Sequence, residues 1–334
     1  MAGWLLPLAA LAGGLAALVW SADFFVDGAS GAARRLGAPA LVIGMVIVGF
    51  GTSAPEMAVS AVGAVRGAPS IALGNAYGSN ICNIALILGL CALLRPLAVN
   101  RSAVRFAIPA VLFSTAFSAL LVADSALGPG ISRADSLVLL ALFAVSLFLM
   151  ARDSAGDAAV KNAAAQPGAA EKAAEPPSLG ICAAKVVLGI AALVLSSRAL
   201  VWGAVEAATK LGVSDLVIGL TVVAVGTSLP ELASSVAAVR RGEDDLAVGN
   251  IVGSNLFNTL AVVGIAGAIS PMPEVDKAIL ARDIPWSFVL ALFLLAAGFP
   301  RRAATTGRLG RFPGAVLLVS YAAYLALLVR ASTA

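Results

Sequence analysis

Apolar stretches of roughly 18 residues or more, long enough to span a bilayer core at about 1.5 Å per residue, recur along nearly the whole 334-residue chain. Ten spans are predicted, near 3 to 30, 38 to 65, 70 to 94, 103 to 123, 134 to 151, 180 to 208, 214 to 239, 246 to 269, 280 to 299 and 312 to 330. The first has no basic n-region and is followed by many more, so it reads as a helix and not as a cleaved signal. Only 12% of residues are charged, about half the share in a soluble domain, which excludes water-soluble folds. The expected class is an all-α membrane protein.

The net charge of +4 does not point to nucleic acid, because the basic residues are scattered through short loops. Their sidedness carries more information. With the N-terminus outside, fourteen fall on cytoplasmic segments, among them Arg34, Arg35, Arg95, Arg240 and Arg241, against six on outer segments, among them Arg66 and Arg133. That asymmetry matches the positive-inside rule.

Between 152 and 178 the composition turns to Ala, Glu, Lys, Pro and Gly, too polar to fold alone, and reads as a cytoplasmic linker. It separates a first five-helix half, 1–151, from a second, 179–334. A repeat across it must be inverted in the membrane, since five is odd. Shifting the sequence by 175 residues lays LGAPALVIGMVIVGFGTSAPEMAVS, from Leu36, on LGVSDLVIGLTVVAVGTSLPELASS, from Leu211, without a gap. Of the 55 positions from 36 to 90, 24 equal their partners in 211 to 265. So long a period is the signature of a transporter with inverted repeats, whose site forms where the halves meet near the midplane.

Each repeat carries GTSxPE inside a long span: Gly51, Thr52, Ser53, Pro55 and Glu56, then Gly226, Thr227, Ser228, Pro230 and Glu231. A proline inside a helix removes a donor and clashes one turn back, freeing upstream carbonyls. In hydrocarbon such groups persist only if buried in protein or lining a cavity, which makes them candidate cation ligands. The four hydroxyls add oxygens, and each glutamate completes a set. An ionised side chain at the bilayer centre costs about 2.5–3.5 kcal/mol on insertion scales, and no Lys or Arg sits beside either motif. Two carboxylates match one Ca2+ or two Na+, and oxygen ligation suits hard cations. Protonated glutamates in structural kinks are the bland alternative, but duplicated acids at duplicated kinks are hard to derive from packing alone.

The second motif, GNxxGSNxxN, spans Gly74, Asn75, Gly78, Ser79, Asn80 and Asn83, and again Gly249, Asn250, Gly253, Ser254, Asn255 and Asn258. Ser79 and Asn83, and likewise Ser254 and Asn258, share a helix face at i and i+4. The glycines permit close helix approach. Asn75, Asn80, Asn250 and Asn255 could equally serve to bond neighbouring helices. Asp23 and Asp27 in the first span, and Arg198 and Glu206 in the sixth, suit interface or gating contacts better than ligation. Cys82, Cys91 and Cys182 lack metal or disulfide spacing and read as small buried residues. The chain has no histidine, which removes Ser-His triads and His-ligated metals.

These motifs resemble the two alpha repeats of the cation/Ca2+ exchanger superfamily, in its branch of prokaryotic Na+/Ca2+ antiporters. The resemblance implies two inverted five-helix halves. The second, third, seventh and eighth helices would form the ion site, and the tilted first and sixth would slide to give alternating access. It also implies roles residue by residue. Glu56 and Glu231 are the shared carboxylates; Thr52 and Thr227 lend carbonyls to Ca2+; Ser53, Ser79, Ser228 and Ser254, with the backbone at Gly49 and Ala224, line Na+ sites; Asn83 and Asn258 close the centre. Several relatives carry Asp where this chain has Asn258, which bears on coupling to protons or K+. GTSxPE also differs from the GNxxE of proton/Ca2+ exchangers. The expected partners are Ca2+, Na+ and the lipid bilayer, with no resident cofactor. An ATP-driven pump is disfavoured because the chain has no GxxxxGK[ST] loop, and a channel because inverted broken helices closing on one site suit alternation.

Overall fold

The computed structural model describes residues 2–67, 69, 71–123, 130–164, 177–212, 224–300 and 306–333. The opening of the span expected over 214 to 239, linker residues 165–176, and the cations Lys172, Arg301 and Arg302 lie outside them. The helices, in chain order, are α1 (Ala2–Leu36), α2 (Ala40–Val65), α3 (Ala72–Leu94), α4 (Ala103–Ala123), α5 (Arg133–Ala164), α6 (Leu179–Lys210), α7 (Leu229–Arg240), α8 (Asp244–Ile269), α9 (Ile279–Gly298) and α10 (Arg311–Thr333). All but α7 are long and apolar enough, as described, to cross a bilayer core. The fold is an all-α membrane architecture, and its span boundaries follow the hydropathy reading within a few residues.

Two departures have simple causes. Helix α5 continues past the expected end of its span to Ala164, because the segment from Ser154 is rich in alanine, the best helix former. Two short strands, β1 (Leu97–Val99) and β2 (Gly307–Leu309), pair antiparallel with Leu97 opposite Leu309. Three-residue strands inside loops leave no periodic signal in a sequence.

The duplication is visible as geometry. An isolated bridge joins Ile131 to Met272, and Met272 stands 175 residues after Leu97, so this bridge is the inverted mate of the β1–β2 pair. Two glycine pairs separated by 175, Gly37 with Gly212 and Gly67 with Gly242, all take left-handed φ values between 61° and 82°. They close turns after helices where a side chain would be strained.

The layers run from an inner core to an outer pair. Over 18 apolar residues of each helix, nearly nine-tenths of α8 is buried, against about a quarter of α1 or α6. Helices α1 and α6 pack along each other through glycines: a Cβ on Gly14 would lie 2.9 Å from Leu200 N, and one on Gly203 2.7 Å from Pro7 O. In the core, α8 presses on α2, where a Cβ on Gly249 would lie 2.5 Å from Leu41 O. The equivalent neighbours of Gly74 and Gly78 fall in 213–223, outside the described residues.

Gly253 makes the tightest of these contacts, with an added Cβ 2.5 Å from Met45 O and 2.6 Å from Met45 Cα. Backbone cannot rotate aside, so Gly253→Ala must part α2 from α8. The expected cost is about 1–3 kcal/mol, read as a lower thermal midpoint in detergent. Gly13→Ala, whose Cβ meets nothing among the described residues, should leave that midpoint unchanged.

Candidate functional site

The GTSxPE segments fold differently in the two halves. In α2 the helix runs through Pro55 without interruption. In the second half one turn, Ala224–Gly226, is separated from α7 by non-helical Thr227 and Ser228, and Pro230 occupies the first turn of α7. Proline is tolerated there, where the lost donor would be unpaired anyway. The expected pair of equivalent kinks is therefore one continuous and one broken helix. In the first half Thr52 Oγ1 donates to Val48 O at 3.1 Å, holding the turn before Pro55; in the second, Thr227 lines a cavity.

The GNxxGSNxxN segments stay alike. Asn83 is the second residue of a wide π turn, Cys82–Leu88, and Asn258 the second of its mate, Phe257–Val262. Such turns break the regular ladder and recur at functional sites.

The structure brings together most of the residues singled out by sequence. Glu56, Glu231, Thr52, Ser53, Ser228, Ser79, Ser254, Asn83 and Asn258 are all buried. Ser53 Oγ donates to Glu231 Oε1 at 3.3 Å, linking α2 of one half to α7 of the other. Thr52 Oγ1 lies 3.1 Å from Asn250 Oδ1 and 3.4 Å from Ser254 Oγ. Asn83 Nδ2 donates to Asn255 Oδ1 at 3.1 Å, and Asn80 Nδ2 to Thr259 Oγ1 at 2.8 Å. Gly49 backs onto α8 beside Ser254. Thr227 is half-buried, on a cavity of about 270 Å³ shared with Pro55, Pro230, Arg198 and Trp202. Ala224 opens the isolated turn.

Both oxygens of Glu56, Oε2 of Glu231, Oδ1 of Asn83 and Asn258, and Oγ of Ser228 are fully buried without a hydrogen-bond partner among the described residues. Native interiors leave few such groups, and each calls for an explanation. Here six oxygens from α2, α3, α8 and the α7 start share the condition, two of the groups being carboxylates with no cation beside them among the described residues. This donor set suits a hard cation such as Ca2+ or Na+.

Sequence reasoning missed the serines that hold the asparagines. Asn250 Nδ2 donates to Ser235 Oγ at 2.9 Å and Ser234 Oγ at 3.1 Å, and Asn75 Nδ2 to Ser60 Oγ at 3.3 Å. Ser60 and Ser235 stand four residues after Glu56 and Glu231, on the glutamate face of each helix; that spacing was the available signal. Removing the amide in Asn250→Ala takes a buried donor from Ser235 and Ser234 and an acceptor from Thr52, although Ser234 keeps its bond to Pro230 O and Thr52 its bond to Val48 O. A loss of about 1–3 kcal/mol follows, larger than for the half-buried Asn75→Ala, and paired thermal midpoints of the two variants check the order.

Comparison with known proteins gives a consistent pattern. The family model described as sodium/calcium exchanger protein matches this chain twice, over residues 6–152 and 183–330. The protein CaxA of Alkalimonas amylolytica is 43% identical over 317 residues, covering 93% of this chain and 95% of its own length. The sodium/calcium exchanger MaX1 of Methanosarcina acetivorans is 32% identical over 346 residues, covering 94% and 96%. A solved structure of the sodium-calcium exchanger NCX_Mj, soaked with 2.5 mM Na+ and 0.1 mM Ca2+, superposes with a TM-score of 0.79 at 30% identity, covering 96% of this chain and 98% of that one.

Proposed function

We propose that this chain, which belongs to the sodium/calcium exchanger protein family, is a secondary antiporter that uses the inward Na+ gradient to expel Ca2+. As a member of that family it is an integral membrane transporter of cations, and its exchange chemistry is read from the site. The observation that carries the reading is the cluster of buried, unpartnered oxygens around Glu56 and Glu231.

Glu56 and Glu231 would supply the charge that a bound cation cancels. Asn83 and Asn258 would close the cage with amide oxygens, and Thr52 and Thr227 would offer carbonyls. Ser53, Ser79, Ser228 and Ser254, with the backbone at Gly49 and Ala224, would line the flanking Na+ positions. Coupling then follows from exclusion. Filling the cage with Ca2+ or Na+ cancels the buried charge and lets the outer helices move, whereas an empty, doubly charged cage resists passage along the apolar barrier. The excess of basic residues at the Arg34, Arg95 and Arg241 end supports a cytoplasmic location for that end in a prokaryotic cell membrane, with both termini outside.

Proteoliposomes loaded with Na+ and exposed to labelled Ca2+ test the reading. Uptake should require the counter-gradient, and Ca2+ entry without a counter-ion would mark a channel instead. In Glu56→Gln and Glu231→Gln, which keep size but remove one charge, Ca2+ flux should fall to near background in protein that still inserts and folds. Wild-type flux in either variant would remove that residue from the cage.

Charge counting sets the coupling ion. Asn83 and Asn258 are neutral, so the cage holds two negative charges and needs no proton or additional monovalent ion to balance a third. Exchange should therefore proceed with K+ replaced by choline and vary little above about pH 6. Asn258→Asp should introduce a new pH or K+ dependence, and a strict K+ requirement in the parent would overturn the count.

A further inference from the structure

We propose that Arg241, with Asp23 and Asp27, forms an ionic latch that holds the gating pair α1–α6 against the core at one end of the molecule only, biasing the transporter toward the state open at the other end. The inference rests on the alternating-access reading above and adds to it the residues that set the balance between the two states.

Arg241 lies in the α7–α8 turn and belongs to the core. Its Nη1 is 3.0 Å from Asp27 Oδ1, its Nη2 donates to Asp23 O at 3.0 Å, and its Nε is 3.6 Å from Asp23 Oδ1. Asp27 also pairs with Lys185 of α6, so the acid is held inside the α1–α6 pair before it reaches across. Two residues further along the same turn, Glu243 meets Arg34 of α1 at 3.7 Å. The turn and α1 are thus joined by two ion pairs of opposite polarity, which favours one register between them.

The inverted repeat supplies an internal control. The shift of 175 that aligns the motifs also lays Ala16–Val19 on Ala191–Val194, Val26 on Val201 and Gly28 on Gly203. Under it, Asp23 and Asp27 become Arg198 and Trp202, Arg34 becomes Thr209, and the turn residues Arg241 and Glu243 become Arg66 and Ala68. Neither ion pair can form at that end, because the first would oppose two cations and the second has lost both charges. A cavity of about 270 Å³ is lined by Arg198, Val201 and Trp202, on the α6 side of this unlatched end, and by Thr227 and Pro230. At the latched end the equivalent Val26 is fully buried. The paired charges therefore lie at the end where Val26 is buried, and their absence coincides with a cavity beside its mate Val201.

The members are 37–40% exposed on Asp23, Asp27 and Arg241, so each pair is weak. A weak pair is suited to the task, since a latch shifts populations in proportion to its differential contribution and must still release in every cycle.

Full-length protein with Cys82, Cys91 and Cys182 replaced, reconstituted in liposomes, carries a single reporter at Val201→Cys or at its mate Val26→Cys, and is treated with a membrane-impermeant maleimide added to either side. In the parent, Val201→Cys should react and Val26→Cys should be protected. Asp27→Asn and Arg241→Gln should slow the first and speed the second by about threefold or more. Arg241→Lys, which keeps the charge, and Arg240→Gln, one residue away, should stay near the parent. Arg198→Asp, which places an acid opposite Arg66, should slow Val201→Cys labelling from the other direction, and it tests the idea even if a latch variant folds poorly. Parent-like labelling in Asp27→Asn, Arg241→Gln and Arg198→Asp overturns the latch, as does an equal shift in Arg240→Gln. Labelling is read without flux, so absence of Na+-dependent Ca2+ flux in the parent would defeat the exchanger reading alone.

Discussion

Two carboxylates buried in the middle of a membrane protein, with no cation beside them among the described residues, set the terms for the rest of this structure. Glu56 and Glu231 can be held there only by helices that are buried themselves, which is why the helices bearing the polar motifs are also the least exposed. Helix α8, whose residues from Leu246 to Leu256 are all buried, could not be so polar on one face if it met lipid. The glycines of α8 follow from the same demand, because Gly249 and Gly253 bring its backbone against α2 until no room remains for a Cβ. The long, smooth and largely apolar α1 and α6 are left to the periphery.

The halves share their chemistry but not their local conformation. The shared GTSxPE motif, with Ala54 opposite Leu229, gives a continuous helix around Pro55 and a broken one before Pro230. Ser53 bonds to Glu231, while Ser228 has no partner among the described residues. An inverted repeat occupying two equivalent states must be asymmetric in either one, since the mouth that is open in one half is the mouth that is closed in the other. On the proposed alternating-access reading, the difference between the two motifs is what a single conformation requires.

Much of this was legible in the sequence, and the reasons are specific. A span written as some twenty apolar residues, or a repeat carried by Gly, Pro and Glu at fixed offsets, leaves a local signal that survives without tertiary context. Hence the positions of the spans, the duplication and the inward face of Ser79 and Asn83 could all be read. What could not be read depends on contacts between distant segments. The pairing of Leu97 with Leu309, the reach of Asn250 to Ser234 and Ser235, and the meeting of Arg241 with Asp27 are encoded by single residues more than ten positions apart, and in two of these cases by residues in different halves. The conformation of Thr227 was hidden for another reason: the same motif, GTSAPE in one half and GTSLPE in the other, takes both forms, and the choice belongs to the state of the whole molecule.

That division has a consequence for how such a transporter evolves a direction. If every residue were repeated after 175 positions, the two states would be mirror images in energy and neither face would be preferred. The cage cannot break this degeneracy, because Glu56, Thr52, Ser53, Ser79 and Asn83 all recur unchanged as Glu231, Thr227, Ser228, Ser254 and Asn258. Any intrinsic preference must come from positions where the halves differ, and these include charged positions of the gating pair, where Asp23, Asp27 and Arg34 correspond to Arg198, Trp202 and Thr209 across the repeat. On the proposed reading, ion selectivity is stored in what the halves share and conformational bias in what they do not, so each can be altered by substitution without disturbing the other.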